Sequence, residues 1–394
     1  MAKQKEKDIL IVTGSLIEEY EGDRISFEGT PVIITPLTHT NAKALRYHFP
    51  FTTPSPVLRN DRTIGLGDRL GIATPGHIRA ITNYDIVPVF AQQSVRELTL
   101  TKRRWIDVLD SATYAVFNSG YTKPWGFDGD HLKTADEVQT ALDAGCTIIT
   151  LDCGMYINDF DAIVDFASSV YFELLRGRNV DFELSIDETD EPTSPEWHRA
   201  LAAALTKRRV RFDTIAPRFC GEFQKGIDYI GDLTRFDYEL GIHASIAGEF
   251  GYKLSIHSGS DKFSIFPSVG RLTKGRFHLK TAGTSWLEAM LLVAEIDPAL
   301  YREAHAYALT CFPDAQQYYH VSANLASIPD INVLPDNALT GLFCRDDVRQ
   351  LIHITYGFLL GKFHDRLYML WESHCDRYAE HLVNHLGNHL SLLL

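Results

Sequence analysis

Between about residue 101 and residue 296, strand-like and helix-like segments alternate, and this alternation constrains the fold more than any other feature. Helix-like RELTLTKRRWIDVLDSA precedes a predicted strand at 114–120, YAVFNSG, and the loop YTKPWGFDGDHLK. Helix ADEVQTALDAG, strand TIITLD (147–152), a helix around FDAIVDFASSVYFELLRG and strand DFELSIDE (181–188) follow. Then come SPEWHRALAAALTKR, FDTIAPR (212–218), a helix near 232–249, a strand at 252–257, RFHLKTAG (276–283) and helix TSWLEAMLLVAE. Such an order builds a parallel sheet. At least six units without a strong dinucleotide fingerprint favour a closed barrel over an open sheet. The expected fold is therefore α/β, a TIM-type (β/α)8 barrel with its core at 101–296. An irregular β-containing N-terminal region (1–100) leads in, with PVIITPL (31–37) and YDIVPVFAQQ (84–93) as strands. A helical C-terminal extension (297–394) packs on the barrel or forms a homo-oligomer interface.

Charge and patterning exclude several functions. The net charge is −13, and nucleic-acid phosphates require a basic surface, so no nucleic-acid partner is expected. No apolar run approaches the roughly 20 residues of a membrane span. The N-terminal MAKQKEKDILIVTG has too short an apolar run for a signal peptide. Six scattered cysteines with no CxxC pair suit a reducing compartment, so a cytoplasmic location is expected. There is no GxSxG elbow and no Walker loop. Gly65, Gly67 and Gly71 are spaced one residue too long for a Rossmann turn. They suit a tight loop near a small ligand, with Asp68, Arg69 and His77 as candidate contacts.

Parallel barrels present their chemistry at the C-terminal ends of the strands. Asn118, Asp152, Asp187, Glu188, Arg218, His257, His278 and Lys280 all fall at predicted strand ends. Asp130 and His131, in the loop after the first predicted strand, pair a candidate base with a candidate ligand. His131, His257 and His278 at one mouth would suit zinc, manganese, nickel or iron, with positions left open for substrate oxygens. Glu222 is a candidate acid or base if partly buried; the competing reading is a helix-N-terminal glutamate. Lys225, Arg218, Lys262, Arg271 and Lys280 form a basic set suited to a carboxylate or phosphate. His381, His385 and His389 recur at i, i+4 and i+8, without an acidic companion in the sequence, and read as packing histidines.

Longer blocks add a resemblance. GLGDRLGIATPGH (65–77), FAQQSVREL (90–98), GFDGDHLK (126–133), GEFQKGIDYIGDL (221–233), KLSIHSGSDKFSIFPSVGR (253–271), HLKTAGTSWLEA (278–289) and LIHITYG (351–357) resemble the bacterial tagaturonate epimerase family. The likeness runs from about residue 60 to residue 360. It implies a barrel scaffold, a divalent metal cofactor, and interconversion of D-tagaturonate and D-fructuronate. It also implies a metal on His131, His257 and His278, a base at Asp130 and an acid at Glu222. For the substrate carboxylate, Lys262, Arg271 and Lys280 are expected in that order, with Asp152 as a further contact.

The two ketohexuronates differ at a carbon β to the ketone, whose C–H proton is not acidic. Retro-aldol cleavage and re-addition can invert that carbon; transient oxidation by a nicotinamide is the competing route. A metal-dependent sugar isomerase or aldolase, or a non-catalytic sugar-binding protein, would use the same barrel.

Overall fold

A computed structural model describes residues 1–4 and 7–394. Four strands, β1 (Ala2–Gln4), β2 (Lys7–Thr13), β3 (Asp23–Phe27) and β4 (Thr30–Pro36), form an antiparallel sheet in the order β1-β2-β4-β3. Leu10 and Tyr20 of this region pack with Ala42 and Leu45 of helix His39–His48 and Tyr114 of helix Trp105–Ser119.

Eight parallel strands then close in chain order into a barrel. They are β5 (Arg62–Leu66), β6 (Val87–Ser94), β7 (Gly126–Leu132), β8 (Ile148–Asp152), β9 (Asp181–Ile186), β10 (Thr214–Pro217), β11 (Lys253–Ile256) and β12 (Phe277–Thr281). Closure comes from β12 pairing with β5, Phe277 opposite Arg62 and Thr281 opposite Leu66. The expected TIM-type barrel is present, with the N-terminal sheet and C-terminal helices around it.

Its limits differ from the expected 101–296. The first two barrel strands lie inside the segment read as a lead-in: Thr63-Ile64-Gly65-Leu66 is short and broken by glycine, and the strand expected at 84–93 is Val87–Ser94 of the barrel itself. The predicted strand at 114–120 is instead the end of helix Trp105–Ser119, which leaves Asn118 exposed on a helix. The strand it displaced is GFDGDHL itself, read from sequence as a loop.

Side chains alternate across each strand. Ile149, Leu151, Leu184, Ile215, Leu254, Ile256, Phe277 and Leu279 join the core shared with the surrounding helices. The alternate positions, among them Asp128, Thr150, Glu183, Thr214, His278 and Lys280, are buried polar groups inside the barrel. A second core is built by the C-terminal helices around Trp286, Tyr301, Tyr356 and Trp371. The last helix, Cys375–Leu393, belongs to both cores: Tyr378 and Leu382 to the second, Leu386, Leu390 and Leu393 to the barrel. The region 297–394 is thus fused to the barrel by a common apolar surface. No described helix is long and apolar enough to cross a membrane.

Leu390 has 0% exposure. Leu390→Ala should cost about 2–5 kcal/mol, a buried-leucine truncation, measured as a lower urea midpoint.

Candidate active site

A cavity of about 1330 Å³ opens at the C-terminal ends of the barrel strands. Asp130, His131, Asp187, Glu188, Arg218, Glu222, Lys225, His257 and Lys280 are among its lining residues. At its floor, the Lys280 ammonium lies 2.8 Å from Asp128, 2.7 Å from Asp130 and 2.7 Å from Glu183. It also donates to the Thr150 hydroxyl at 2.6 Å. Burial alone would lower the Lys280 pKa, but the three carboxylates raise it well above the ordinary lysine value. Burial pushes Asp128 up to about 6, helped by the charges of Asp130 and Glu183. Burial would also raise Asp130, yet Lys280, His131 and His257 overcome it and hold Asp130 at about 2. Glu183, which the sequence reading passed over as an ordinary strand residue, is held well below its usual range against its own burial.

A bulge in β7 brings Asp130 and His131 to the mouth together. Gly129 pairs with Ile149 but Leu132 pairs with Leu151, so one extra residue is accommodated. His131 takes φ +54, a left-handed conformation uncommon for a non-glycine residue. Its ring meets that of His257 edge to face, with centroids 4.9 Å apart. His257 Nε2 faces Glu183 at 2.7 Å and Nδ1 faces Asp187 at 3.2 Å. Burial would lower its pKa, but Asp187 and Glu183 raise it to about 10.

His131 Nδ1 lies 3.5 Å from Asp152 and 3.9 Å from Glu188. His131, Asp152 and Glu188 each offer a ligand atom within 4.8 Å of the others. His131 Nδ1, His257 Nδ1 and Asp152 Oδ2 are buried without a hydrogen-bond partner. Once these imidazoles give up the proton that the carboxylates favour, their lone pairs and the carboxylates suit a divalent cation. His278 also has a buried ring nitrogen without a hydrogen-bond partner, Nε2. It lies deeper in β12, with Nδ1 2.8 Å from the Thr63 hydroxyl, and burial lowers its pKa to about 3. Among the described residues, the ligand atoms that lie within 4.8 Å of one another at this mouth are those of His131, Asp152 and Glu188, and neither His257 nor His278 is in that group.

Other predicted contacts have structural work instead. Asp68 accepts from the backbone N–H groups of Leu70, Gly71, Ala73 and Thr74, and so closes the loop after β5. The glycines serve packing: a Cβ on Gly65 would lie 1.5 Å from Gln92 Oε1. Arg69 does line the cavity, but its guanidinium pairs with Glu97 at 2.7 Å and covers the Tyr356 ring. His77 is a buried core histidine at 2.7 Å from Ser285, with its pKa lowered by burial to about 4. Lys262 donates to the carbonyls of Gln224, Ile227 and Ser260 and is fully buried. Arg271 is on the outer surface, paired with Asp237 at 2.8 Å. Glu222 is on the cavity wall, where it forms an isolated bridge with Ile230 and is neither helix-capping nor deeply buried; its side chain is 44% exposed.

The C-terminal histidines do have acidic companions. His385 Nε2 meets Asp261 at 2.5 Å and its Nδ1 meets Glu288 at 3.1 Å, while His381 meets Glu295 at 2.8 Å. His389 Nε2 accepts from the Asp261 N–H at 3.0 Å, and Arg349 pairs with Asp261 at 2.9 Å. With the guanidinium already there, this cluster ties the loop after β11 to the last helix and has no need of a metal.

The chain matches the sequence model of tagaturonate epimerase over residues 1–163 and 158–393. It is 36% identical over 455 aligned residues to a tagaturonate/fructuronate epimerase of Thermotoga maritima, covering 100% of this chain and 93% of that protein. The native crystal structure of a fructuronate-tagaturonate epimerase from Cohnella laeviribosi aligns with TM-score 0.95 and 41% identity, over 99% of this chain and 92% of that one. The same enzyme complexed with one glycerol gives TM-score 0.94 and 41% identity, over the same shares of the two chains.

Lys280→Met leaves three buried carboxylates without their cation and should cost about 3–5 kcal/mol at pH 7. The pH response should also reverse. In the parent, Asp130 and Glu183 are held below their unfolded values, so their stabilisation is present above about pH 4 and lost as pH falls. In the variant, Asp128 loses the one cation that opposes its burial and is raised further, so stability should recover as pH drops from 7 toward 5 in urea titrations.

Proposed function

The chain belongs to the tagaturonate epimerase family, and from that premise we propose that it interconverts D-tagaturonate and D-fructuronate by retro-aldol cleavage and re-addition. One observation carries this reading: an ionised Asp130 beside His131 and His257 on the wall of a single large cavity.

Lys280, His131 and His257 hold Asp130 below its ordinary value against its burial, so it enters the reaction as the carboxylate. In the proposed reaction it takes the proton of the hydroxyl on the carbon β to the ketone. The bond from that carbon to the α-carbon breaks, and its electron pair moves into the ketone half as an enediolate. The other half is left as an aldehyde, turns, and is attacked on its opposite face. The alkoxide so formed takes its proton from Glu222 on the cavity wall, whose partial exposure allows exchange with solvent. A divalent ion held by His131 and His257 with Asp152, Asp187 or Glu188 would supply Lewis acidity toward the ketone and hydroxyl oxygens. Lys280 keeps Asp130 fixed and charged, and Glu183 orients His257.

Metal-loaded protein incubated with D-fructuronate should yield D-tagaturonate by NMR, with conversion lost on chelation and restored by a divalent metal. Accumulating three-carbon products would make the protein an aldolase. Asp130→Asn and Glu222→Gln should each cut turnover by at least about 100-fold with metal content unchanged. Near-normal rates in both would remove the role assignment.

A further inference from the structure

The epimerase reading requires a group for the substrate carboxylate, and the cations expected for that task are already engaged. Lys262 gives its three donors to carbonyls, Arg271 is outside the barrel, and Lys280 is surrounded by carboxylates. Arg69, Arg96 and Lys133 line the cavity, each with a carboxylate within 4.0 Å. Among the described residues, Lys225 and Arg218 are the lining lysine and arginine without one.

These two differ in placement. Lys225 Nζ donates at 2.8 Å to the hydroxyl of Ser258, the residue directly after His257. Ser258 has φ +50, a left-handed turn that follows the histidine immediately. Lys225 is therefore located beside the reacting groups, whereas Arg218 has its backbone tied to Thr193.

The mount of Lys225 is rigid. Lys262 binds the carbonyls on both sides of it, those of Gln224 and Ile227. Arg349 binds the Gly226 carbonyl at 2.6 Å. The Gln224 side chain accepts from the Ser322 N–H, the Ser322 hydroxyl and Gln350, each at 2.8 Å. Burial lowers the Lys225 pKa, with Arg69 and Arg96 acting in the same direction and Glu97 and Asp130 opposing. An anion at this point would relieve that desolvation.

We propose that Lys225, held by the Lys262–Arg349 strap and steered by Ser258, binds the carboxylate of the ketohexuronate and makes the site selective for acid sugars. This rests on the epimerase reading. Removing one partner of a desolvated ion pair weakens binding strongly, so K225M should raise KM for D-tagaturonate by about 30-fold or more, with kcat falling far less. K225R should restore most of the KM. The Ki of the neutral ketohexose D-fructose, tested as a competitive inhibitor, should stay within about 3-fold of the parent, since no carboxylate is lost there. If K225M is poorly folded by thermal melting, K225Q provides the same comparison. An unchanged KM in the folded variant, or a Ki rising in parallel with KM, would overturn the proposal. An unmutated protein that converts no uronate would instead sink the epimerase reading, which keeps the two failures apart.

Discussion

The Lys280 ammonium is the contact on which the site depends. It meets three carboxylates from two other strands inside the barrel, Asp128 and Asp130 of β7 and Glu183 of β9. None of these charges could be buried singly, because desolvation would neutralise it. Together they form a network in which Glu183 also holds His257, and His257 in turn faces His131 and Asp187. The barrel permits this because its outward side chains and helices carry the apolar core. Its strands satisfy each other's backbone groups through closure. The inward layer is thereby released from packing duty and can hold charge.

That division explains what was readable from the sequence. Strands β8 to β12 announce themselves through apolar alternate residues such as Ile149, Leu184 and Ile256, and they were located within a few residues. Strand β7 was missed because its inward residues are Asp128 and Asp130 and two of its positions are glycine, so little apolar pattern is left. The strand with the most chemistry has the weakest strand signal. The error at 114–120 is the converse: Tyr114, Val116 and Phe117 favour strands by type, yet they lie in a helix begun at Trp105. His257 was singled out because it closes a predicted strand, whereas Asp130 and His131 were singled out as a loop pair and stand in the fold at the end of β7. Glu183 was not, since only its register against Lys280 and His257 gives it a role.

Buried charge was also misread where it closes loops. Asp68 and Lys262 have residue types that suit ligand binding, and each lies near a turn. In the fold Asp68 accepts four backbone N–H groups, Lys262 donates to three carbonyls, and Asp261 joins Arg349 to His385. A side chain whose hydrogen-bonding capacity is already used contributes rigidity and little affinity. Residue type cannot reveal that saturation; only the partners can. Lys225 and Lys262 are both lysines on conspicuous loops, and the difference between them is that one retains donors facing the cavity.

The proposed chemistry gives this difference a purpose. Cleavage between the α- and β-carbons of a ketohexuronate leaves the carboxylate on the aldehyde fragment, not on the enediolate. That fragment must turn to show its other face and must not escape while doing so. An arginine fork would fix a carboxylate in one plane through two parallel hydrogen bonds, whereas a lysine ammonium is a point charge around which the anion can pivot. A single lysine on an immobile backbone segment suits a tethered rotation, with His131 and His257 on the wall beside the half that stays still. Rigidity is needed in the mount and freedom in the contact, and the Lys262–Arg349 strap beneath Lys225 separates the two.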